Sequence, residues 1–195
     1  VRGFAQKKTI YKDGENPFLD GTARYARTEK KKNKAFAEWI PTIPQTGNYA
    51  VYVSYQTLPN SVSDAKYIVF HKGGVTEFSV NQQIGGGTWV YLGTFEFDKG
   101  NNDYGMVVLS NESKENGVVC ADAVRFGGGM GNISRGGTVS GLPRYLEGAR
   151  YSAQWAGMPY EIYGGRKGEN DYADDINARS NTLNYLSGGS VFNPQ

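Results

Sequence analysis

The chain has 195 residues, of which 38% are hydrophobic and 21% charged, enough for one ordinary domain or for a small domain plus part of another. Its single Cys excludes an internal disulfide, and its single His excludes a zinc site built from several histidines within these residues. A formal net charge of +2 requires neither nucleic acid nor an anionic membrane as a partner, and no apolar run approaches the roughly 20 residues that span a bilayer.

The abundance of Gly (27 residues) and Tyr (14 residues) favours short strands joined by tight turns. The stretch that ends in the lysine-rich run at residues 29–34 has no sustained period, and we interpret that run as a solvated loop. Alternation of apolar and polar residues begins at residue 35 and continues to residue 126. In residues 48–56 it places Tyr49, Val51, Val53 and Tyr55 on one face of a strand and Ala50, Tyr52 and Ser54 on the other.

Further strands are predicted at residues 65–72 and 75–81, which a Gly-Gly turn joins into a hairpin. In residues 88–97 the same period places Trp89, Tyr91, Phe95 and Phe97 on one face. About seven candidate strands with no helix between them are typical of an antiparallel β-sandwich or jelly roll. We therefore predict a mainly β first domain over residues 1–130, with its strands mainly at 35–126.

A Gly-rich stretch at residues 127–137 marks the predicted boundary, after which residues 131–195 form a short α/β segment of helix, strand and helix. The first helix carries the apolar stripe Leu142, Leu146, Ala149, Ala153 and Ala156. The strand follows at residues 160–163. The second helix begins at an Asn170 or Asp171 cap, and its stripe holds Tyr172, Ile176, Leu183, Leu186 and Arg179. Such a segment is too small for its own core, so it packs on the sandwich or belongs to a second domain cut short at Gln195.

A series of sequence blocks runs in order through the predicted sandwich. They are AEWIP (37–41), GNYAVYV (47–53), SDAKY (63–67), HKGG (71–74), VNQQ (80–83), GTWVYLG (87–93) and ADAVRF (121–126). These blocks closely resemble the carbohydrate-binding-like domain shared by golvesin and xanthan-lyase-type proteins. The resemblance implies a sandwich of the galactose-binding type, usually an accessory module of secreted proteins that act on polysaccharides or cell walls.

The C-terminal segment carries a second resemblance. The stretch GMPYEIY (157–163), followed by Asp171, Asp175, Arg179 and Asn184, is similar to one part of the zinc-dependent N-acetylmuramoyl-L-alanine amidase fold. The histidine ligands of such enzymes would lie outside this chain, so the resemblance places zinc only in a parent domain. Glu147 lies in the matching helix but outside the family's register. Glu147 and Arg179 are therefore candidate catalytic positions, and no catalytic residue is assigned.

Glycan-binding modules place aromatic rings against the apolar faces of sugars and use nearby polar groups for the hydroxyls. The carbohydrate-binding candidates in this chain are Tyr52, Tyr55, His71, Gln82, Gln83, Trp89 and Tyr91, with Asn81 beside them. The alternative for Trp89 is a place in the core, and the alternative for His71 is a hydrogen-bonded structural role. The loops at 56–64 and 82–87 are the expected places for a ligand.

Other reactive groups have structural interpretations. Cys120 lies in an apolar strand and is expected to be an inert buried thiol, while Asp122 pairs locally or with Arg125. The acidic residues near the second helix, Glu169, Asp171, Asp174 and Asp175, suit the positive end of a helix dipole. Calcium is the alternative ligand for such oxygen groups, although the EF-hand spacing is absent. Asp175 is also placed four residues before Arg179 to pair with it.

These observations predict a non-catalytic carbohydrate-binding accessory module of a secreted polysaccharide- or cell-wall-active enzyme. Its partners would be a polysaccharide or peptidoglycan and the catalytic domain of the same polypeptide, with no nucleic acid, no membrane span and an extracytoplasmic location. One alternative is an enzyme, a zinc amidase-like hydrolase or a polysaccharide lyase, to which this chain contributes part of the fold. The other is a structural spacer that binds no sugar. Because the chain opens at Val1 without a signal peptide, we interpret it as an excised fragment.

Overall fold

The computed structural model describes residues 23–30, 35–127, 134–135, 138–142 and 146–189. These residues fall into two compact units, one within Thr22–Gly128 and one within Gly129–Gln195. The lysine-rich run at 31–34, much of the Gly-rich stretch and the predicted helix start at 143–145 lie outside the described residues.

The first unit is built from short antiparallel strands. Its strands are β1 (Arg24–Arg27), β2 (Phe36–Trp39), β3 (Gly47–Ser54), β4 (Ala65–His71), β5 (Gly74–Val80), β6 (Val90–Phe97), β7 (Met106–Ser110), β8 (Val118–Ala121) and β9 (Ala123–Phe126). One sheet has the order β2-β7-β4-β5 and a second the order β6-β3-β9, while β1 pairs with β8. The predicted hairpin is confirmed, since β4 and β5 pair along their whole length.

A single apolar core lies between the two larger sheets. Side chains from both of them are fully buried there, including Val51 and Val53 of β3, Tyr67 and Val69 of β4 and Phe97 of β6. Alternate residues of each strand point into this core, which is why the period of two in the sequence is so clear. The predicted antiparallel, mainly β fold is confirmed.

A β-bulge in β6 changes which residues face the core. Leu92 has no partner on β3, because Gly93 pairs with Val51 while Tyr91 pairs with Tyr52. An extra residue reverses the alternation on one side of a bulge. Phe95 and Phe97 therefore contribute to the core together with Val90 and Leu92. The prediction that Trp89, Tyr91, Phe95 and Phe97 share one face is wrong, since Trp89 and Tyr91 alternate with Val90 and point outward.

The second unit is mainly helical among its described residues. It contains the two-stranded pair β10 (Ser134–Arg135) and β11 (Thr138–Val139), followed by α1 (Ala149–Trp155), α2 (Tyr160–Tyr163) and α3 (Asp171–Leu186). A small core of Ala153, Met158, Tyr163 and Ala178 joins the three helices. In the part of the chain that the structure describes, no helix is long and apolar enough to cross a membrane.

Two helix-region predictions need correction. The predicted strand at 160–163 is the single helical turn α2, in which the N–H of Gly164 bonds to the carbonyl of Tyr160. Pro159 precedes it with a φ of −54°, a value suited to a helix start. The first helix begins only at Ala149, and Leu142 and Leu146 of the predicted stripe are exposed.

The second predicted helix, α3, is present but turned relative to the prediction. Asn170 caps it, accepting a hydrogen bond from the N–H of Ala173 at 3.0 Å. Most of the predicted stripe faces outward, with Tyr172 76% exposed and Leu183 71% exposed, whereas Leu186 packs against the small helical core. Asp174 and Ala178 are the buried residues of α3. This face of the helix is buried because Asp174 lies next to a buried charged residue, Arg150.

Arg150 lies at the centre of the second unit and is 1% exposed. Its Nε donates to the carbonyl of Tyr163 at 2.8 Å and its Nη1 to Asp171 at 2.8 Å, while Nη2 lies 3.8 Å from Asp174. The Asp174 carboxylate also accepts from the N–H groups of Arg166 at 2.6 Å and Gly168 at 3.2 Å. A buried charge requires such pairing, and this network ties α1 to the start of α3.

Candidate functional site

An aromatic–arginine cluster lies on the outer face of the β6-β3-β9 sheet. It consists of Tyr52, Trp89, Tyr91 and Arg125. Tyr52 of β3 stands directly opposite Tyr91 of β6 on one side and Arg125 of β9 on the other, so the three form a row across the sheet. Opposed residues of antiparallel strands share a face. Trp89, just before β6, shares that face through the alternation with Val90.

The four side chains pack on one another. The rings of Tyr52 and Tyr91 have centroids 5.2 Å apart at an angle of 45°. The guanidinium carbon of Arg125 lies 4.5 Å from the ring centre of Trp89 and 5.1 Å from that of Tyr52. Cation–π contacts at these distances hold a planar cation against aromatic faces. The cluster therefore has a fixed shape rather than four independent side chains.

Exposure differs sharply within the cluster. Tyr52 is 5% exposed and Trp89 is half-buried, whereas Tyr91 is 49% exposed. The Tyr91 hydroxyl is 2.8 Å from that of Thr94, which fixes the far end of the ring. Tyr91 is accordingly the most exposed of the three rings, and the prediction of Tyr52 as a direct sugar contact is not supported by its burial.

Two predicted contacts lie inside the protein. Tyr55 is 2% exposed and its hydroxyl contacts the carbonyls of Asn81 at 3.1 Å and Ile84 at 2.9 Å, which holds the loop before Trp89. Burial raises the pKa of Tyr55 to about 12. Gln82 has no exposed surface at all. We therefore remove Tyr55 and Gln82 from the set of sugar contacts, because a side chain without solvent access cannot touch a glycan.

The side-chain amide of Gln82 bonds to the backbone N–H and carbonyl of Cys120, as a neighbouring strand would. Its Nε2 donates to the Cys120 carbonyl at 2.9 Å and to the Tyr67 hydroxyl at 3.1 Å, and its Oε1 accepts from the Cys120 N–H at 2.7 Å. Cys120 is 1% exposed, and burial raises the pKa of its thiol. The interpretation of Cys120 as a buried structural thiol is confirmed.

Gln83 and His71 lie away from the cluster's contacts. Gln83 is exposed in the loop after Gln82, and its N–H donates to the Asn81 side chain at 2.9 Å. His71 ends β4 in the other sheet, with its Nδ1 accepting from the Gly73 N–H at 3.2 Å and its Nε2 3.0 Å from the Thr76 hydroxyl. Its ring also packs on Phe95 at 4.8 Å. These contacts match the structural alternative for His71.

The candidate catalytic positions have local partners in the second unit. Glu147 accepts a hydrogen bond from the Ser140 hydroxyl, and Arg179 pairs with Asp175 at 3.4 Å as predicted. The Arg179 side chain is 69% exposed, so it is not the buried clamp that an apolar stripe implied. In the sandwich, Asp122 accepts from the hydroxyl of Ser54 on β3 at 3.0 Å, so this partner comes from another strand and is not the predicted local one.

The described residues offer no ready metal centre. Within 23–30, 35–127, 134–135, 138–142 and 146–189, no group of three or more His, Cys, Asp or Glu side chains is placed to hold a metal ion. The chain's one His belongs to the β4–β5 hairpin, so the residues present do not fit the zinc site of an amidase.

The sequence reasoning did not identify Arg125 as part of the site. It offered Arg125 as a partner for Asp122, three residues before it in the chain. The usable signal was the alternation of β9, since Val124 and Phe126 pack on the core and Arg125 must point outward between them. That Arg125 stands opposite Tyr52, by contrast, depends on the pairing of β3 with β9, and no local sequence pattern predicts that pairing.

Comparison with known proteins places these features in a family. The Golvesin C-terminal domain profile matches residues 15–128. A xanthan lyase of Bacillus sp. (strain GL1) is 36% identical over 90 residues, which cover 45% of this chain and 10% of that protein. The solved structure of a Paenibacillus xanthan lyase is 28% identical with a TM-score of 0.47, covering 54% of this chain and 11% of the other. The chain thus spans about a tenth of the length of these relatives. With more than half of its residues matched, the chain belongs to the Golvesin C-terminal domain family.

Proposed function

We propose that the chain is a carbohydrate-binding accessory module of an extracytoplasmic polysaccharide-active enzyme and is not itself catalytic. The observation that carries the proposal is the aromatic–arginine cluster, with the ring of Tyr91 half-exposed on a rigid sheet. The similarity to proteins named xanthan lyase supports a polysaccharide as the partner.

The binding step follows from the geometry of the cluster. A pyranose ring would stack on the exposed face of Tyr91, while Tyr52 packs against the Tyr91 ring from the protein side and Arg125 in turn holds Tyr52. The polar side chain of Gln83 remains a candidate for the sugar hydroxyls from its exposed loop. The affinity of such a site is modest, and its benefit comes from holding a tethered catalytic domain near the glycan through effective concentration.

Affinity electrophoresis in xanthan and other soluble polysaccharides, with co-sedimentation on insoluble peptidoglycan, tests the proposal. Each is run with and without calcium, because calcium is the alternative ligand for the acidic residues near α3. Tyr91→Ala should weaken retention about tenfold, equivalent to about 1.4 kcal/mol. Tyr104→Ala is the matched control, since Tyr104 is 54% exposed and lies in a loop outside the cluster. Equal retention of both variants would contradict the proposed site.

The second candidate is a structural spacer inside a zinc amidase-like peptidoglycan hydrolase, with the zinc held elsewhere in the parent protein. The burial of Tyr52 favours it, because a residue on an outer sheet face at 5% exposure resembles a packed contact more than an open ligand site. Absence of retention on every glycan by the folded chain would select this candidate over the binding module.

A further inference from the structure

The four-stranded sheet has an unusual outer face. Its inward residues, such as Val69 of β4 and Val107 of β7, are fully buried in the core. The residues that alternate with them should be polar if the outer face were solvated. Instead β4 presents Ile68 and Phe70 outward, and β7 presents Met106. The two central strands therefore carry apolar side chains on both faces.

The apolar positions continue to the edges of the sheet. Phe70 stands opposite Met106 on one side and opposite Val75 of β5 on the other. Val75 is 56% exposed, and Ile40, one residue past the end of β2, is 40% exposed. Val108 of β7 stands opposite Ile68 on the same face and is 9% exposed. We call the set Ile40, Ile68, Phe70, Val75, Met106 and Val108 the outer apolar face.

Charged residues lie at the edges of this face. Glu38 on β2 stands opposite Val108 and Glu77 on β5 stands opposite Ile68, while Lys66 lies 3.2 Å from Glu77 and 3.8 Å from Glu112. An apolar centre with a charged rim is the anatomy of a protein interface.

The size of the face indicates what kind of partner covers it. Four strands of about five residues present roughly 300 Å². A stable complex between free proteins buries about 800 Å² on each partner, so a second copy of the chain would be held too weakly. A partner in the same polypeptide needs far less area, because the tether supplies a millimolar effective concentration. The relatives are about ten times longer than the matched region, which leaves room for such a partner.

We infer that the outer apolar face docks against an apolar surface of the catalytic domain in the same polypeptide. The inference rests on the proposed function, which makes the chain one module of a larger enzyme. It assigns the two sheets different tasks: the β6-β3-β9 sheet carries the aromatic–arginine cluster, and the β2-β7-β4-β5 sheet carries the docking face.

Thiol labelling tests the inference, because the chain's one Cys is buried and a new surface Cys can be followed by itself. Val75→Cys and Ile40→Cys report on the face, and Tyr104→Cys, at similar exposure in a loop, is the matched control. Each is made both in this chain and in the full-length polypeptide. The labelling rate at each position is read by peptide mass spectrometry.

Docking predicts that labelling at residues 75 and 40 slows at least tenfold in the full-length protein, whereas labelling at 104 does not change. Equal rates at all three positions in both contexts would overturn the inference. Slow labelling in the isolated chain that deepens with protein concentration would also overturn it, since the partner would then be a second copy. Glycan retention is measured separately, so loss of the proposed function leaves this result readable.

Discussion

The buried amide of Gln82 gives the sharpest test of how the sandwich is held together. We expect Gln82→Met, which keeps the length of the side chain but not its polar atoms, to destabilise the first unit severely. The substitution deprives three buried groups of their partner: the N–H and the carbonyl of Cys120 and the hydroxyl of Tyr67. None of these groups is exposed enough to bond to water instead, since Cys120 is 1% exposed and Tyr67 has no exposed surface.

The magnitude follows from that count of partners. Leaving one buried polar group unsatisfied costs about 1–3 kcal/mol, so three such groups give a loss of about 3–9 kcal/mol. Since the whole free energy of unfolding of a domain is about 5–15 kcal/mol, this is a large fraction of it. Tyr67→Phe removes only one of the three partners and should cost about 1 kcal/mol.

Urea denaturation followed by tryptophan fluorescence measures these differences. Gln83→Met is the control, because Gln83 is the neighbouring residue, is exposed and should change the free energy of unfolding by less than about 0.5 kcal/mol. A loss below about 1 kcal/mol for Gln82→Met, with an unchanged dependence on urea, would refute the reasoning. The Cys120 backbone would then have another way to satisfy its hydrogen bonds.

Two further predictions concern charge and pH. Asp174→Asn should destabilise the helical unit by about 3 kcal/mol, because it leaves the buried Arg150 short of negative charge, whereas Glu169→Gln on the exposed loop should have little effect. Thermal unfolding followed at the helical circular dichroism band separates the two, and equal melting would contradict the pairing argument. The second concerns alkaline pH: burial raises the pKa of Tyr55 to about 12 and raises that of Tyr67 as well, so the folded state keeps both phenols neutral. Stability should therefore be complete below pH 10 and decline as pH rises through 12, and tyrosinate absorbance showing every tyrosine ionising near pH 10 in the folded chain would oppose this.

The sequence was sufficient to predict the architecture of the sandwich, because side chains along a half-buried antiparallel strand alternate between buried and exposed. Val51, Val53 and Tyr55 were placed correctly on one face for this reason. The pairing of strands could not be predicted from the sequence, because neighbouring strands of a sheet come from distant parts of the chain. Gln82 illustrates the limit: an exposed-looking amide in a loop proved to be fully buried because β8 offers it a backbone partner.

The helical unit was predicted less well, and the reason is physical. Apolar periodicity assigns the buried face of a helix only when apolar side chains decide the packing. Here the buried group of α1 is the guanidinium of Arg150, and the side of α3 that faces it is acidic. The apolar stripe with Tyr172 and Leu183 consequently faces outward. Cap chemistry was more dependable, and Asn170 caps α3 as predicted, because a cap depends only on local backbone geometry.

The bulge at Leu92 connects the fold to the candidate site. Without the extra residue, Trp89 and Tyr91 would point into a core that Val90 and Leu92 already fill. The insertion removes two large rings from the interior and presents them on the surface beside Tyr52. It occurs in β6, an edge strand of its sheet, where a bulge disturbs pairing on one side only. A sandwich can thus gain an aromatic surface through one added residue while its core stays as the alternation dictates.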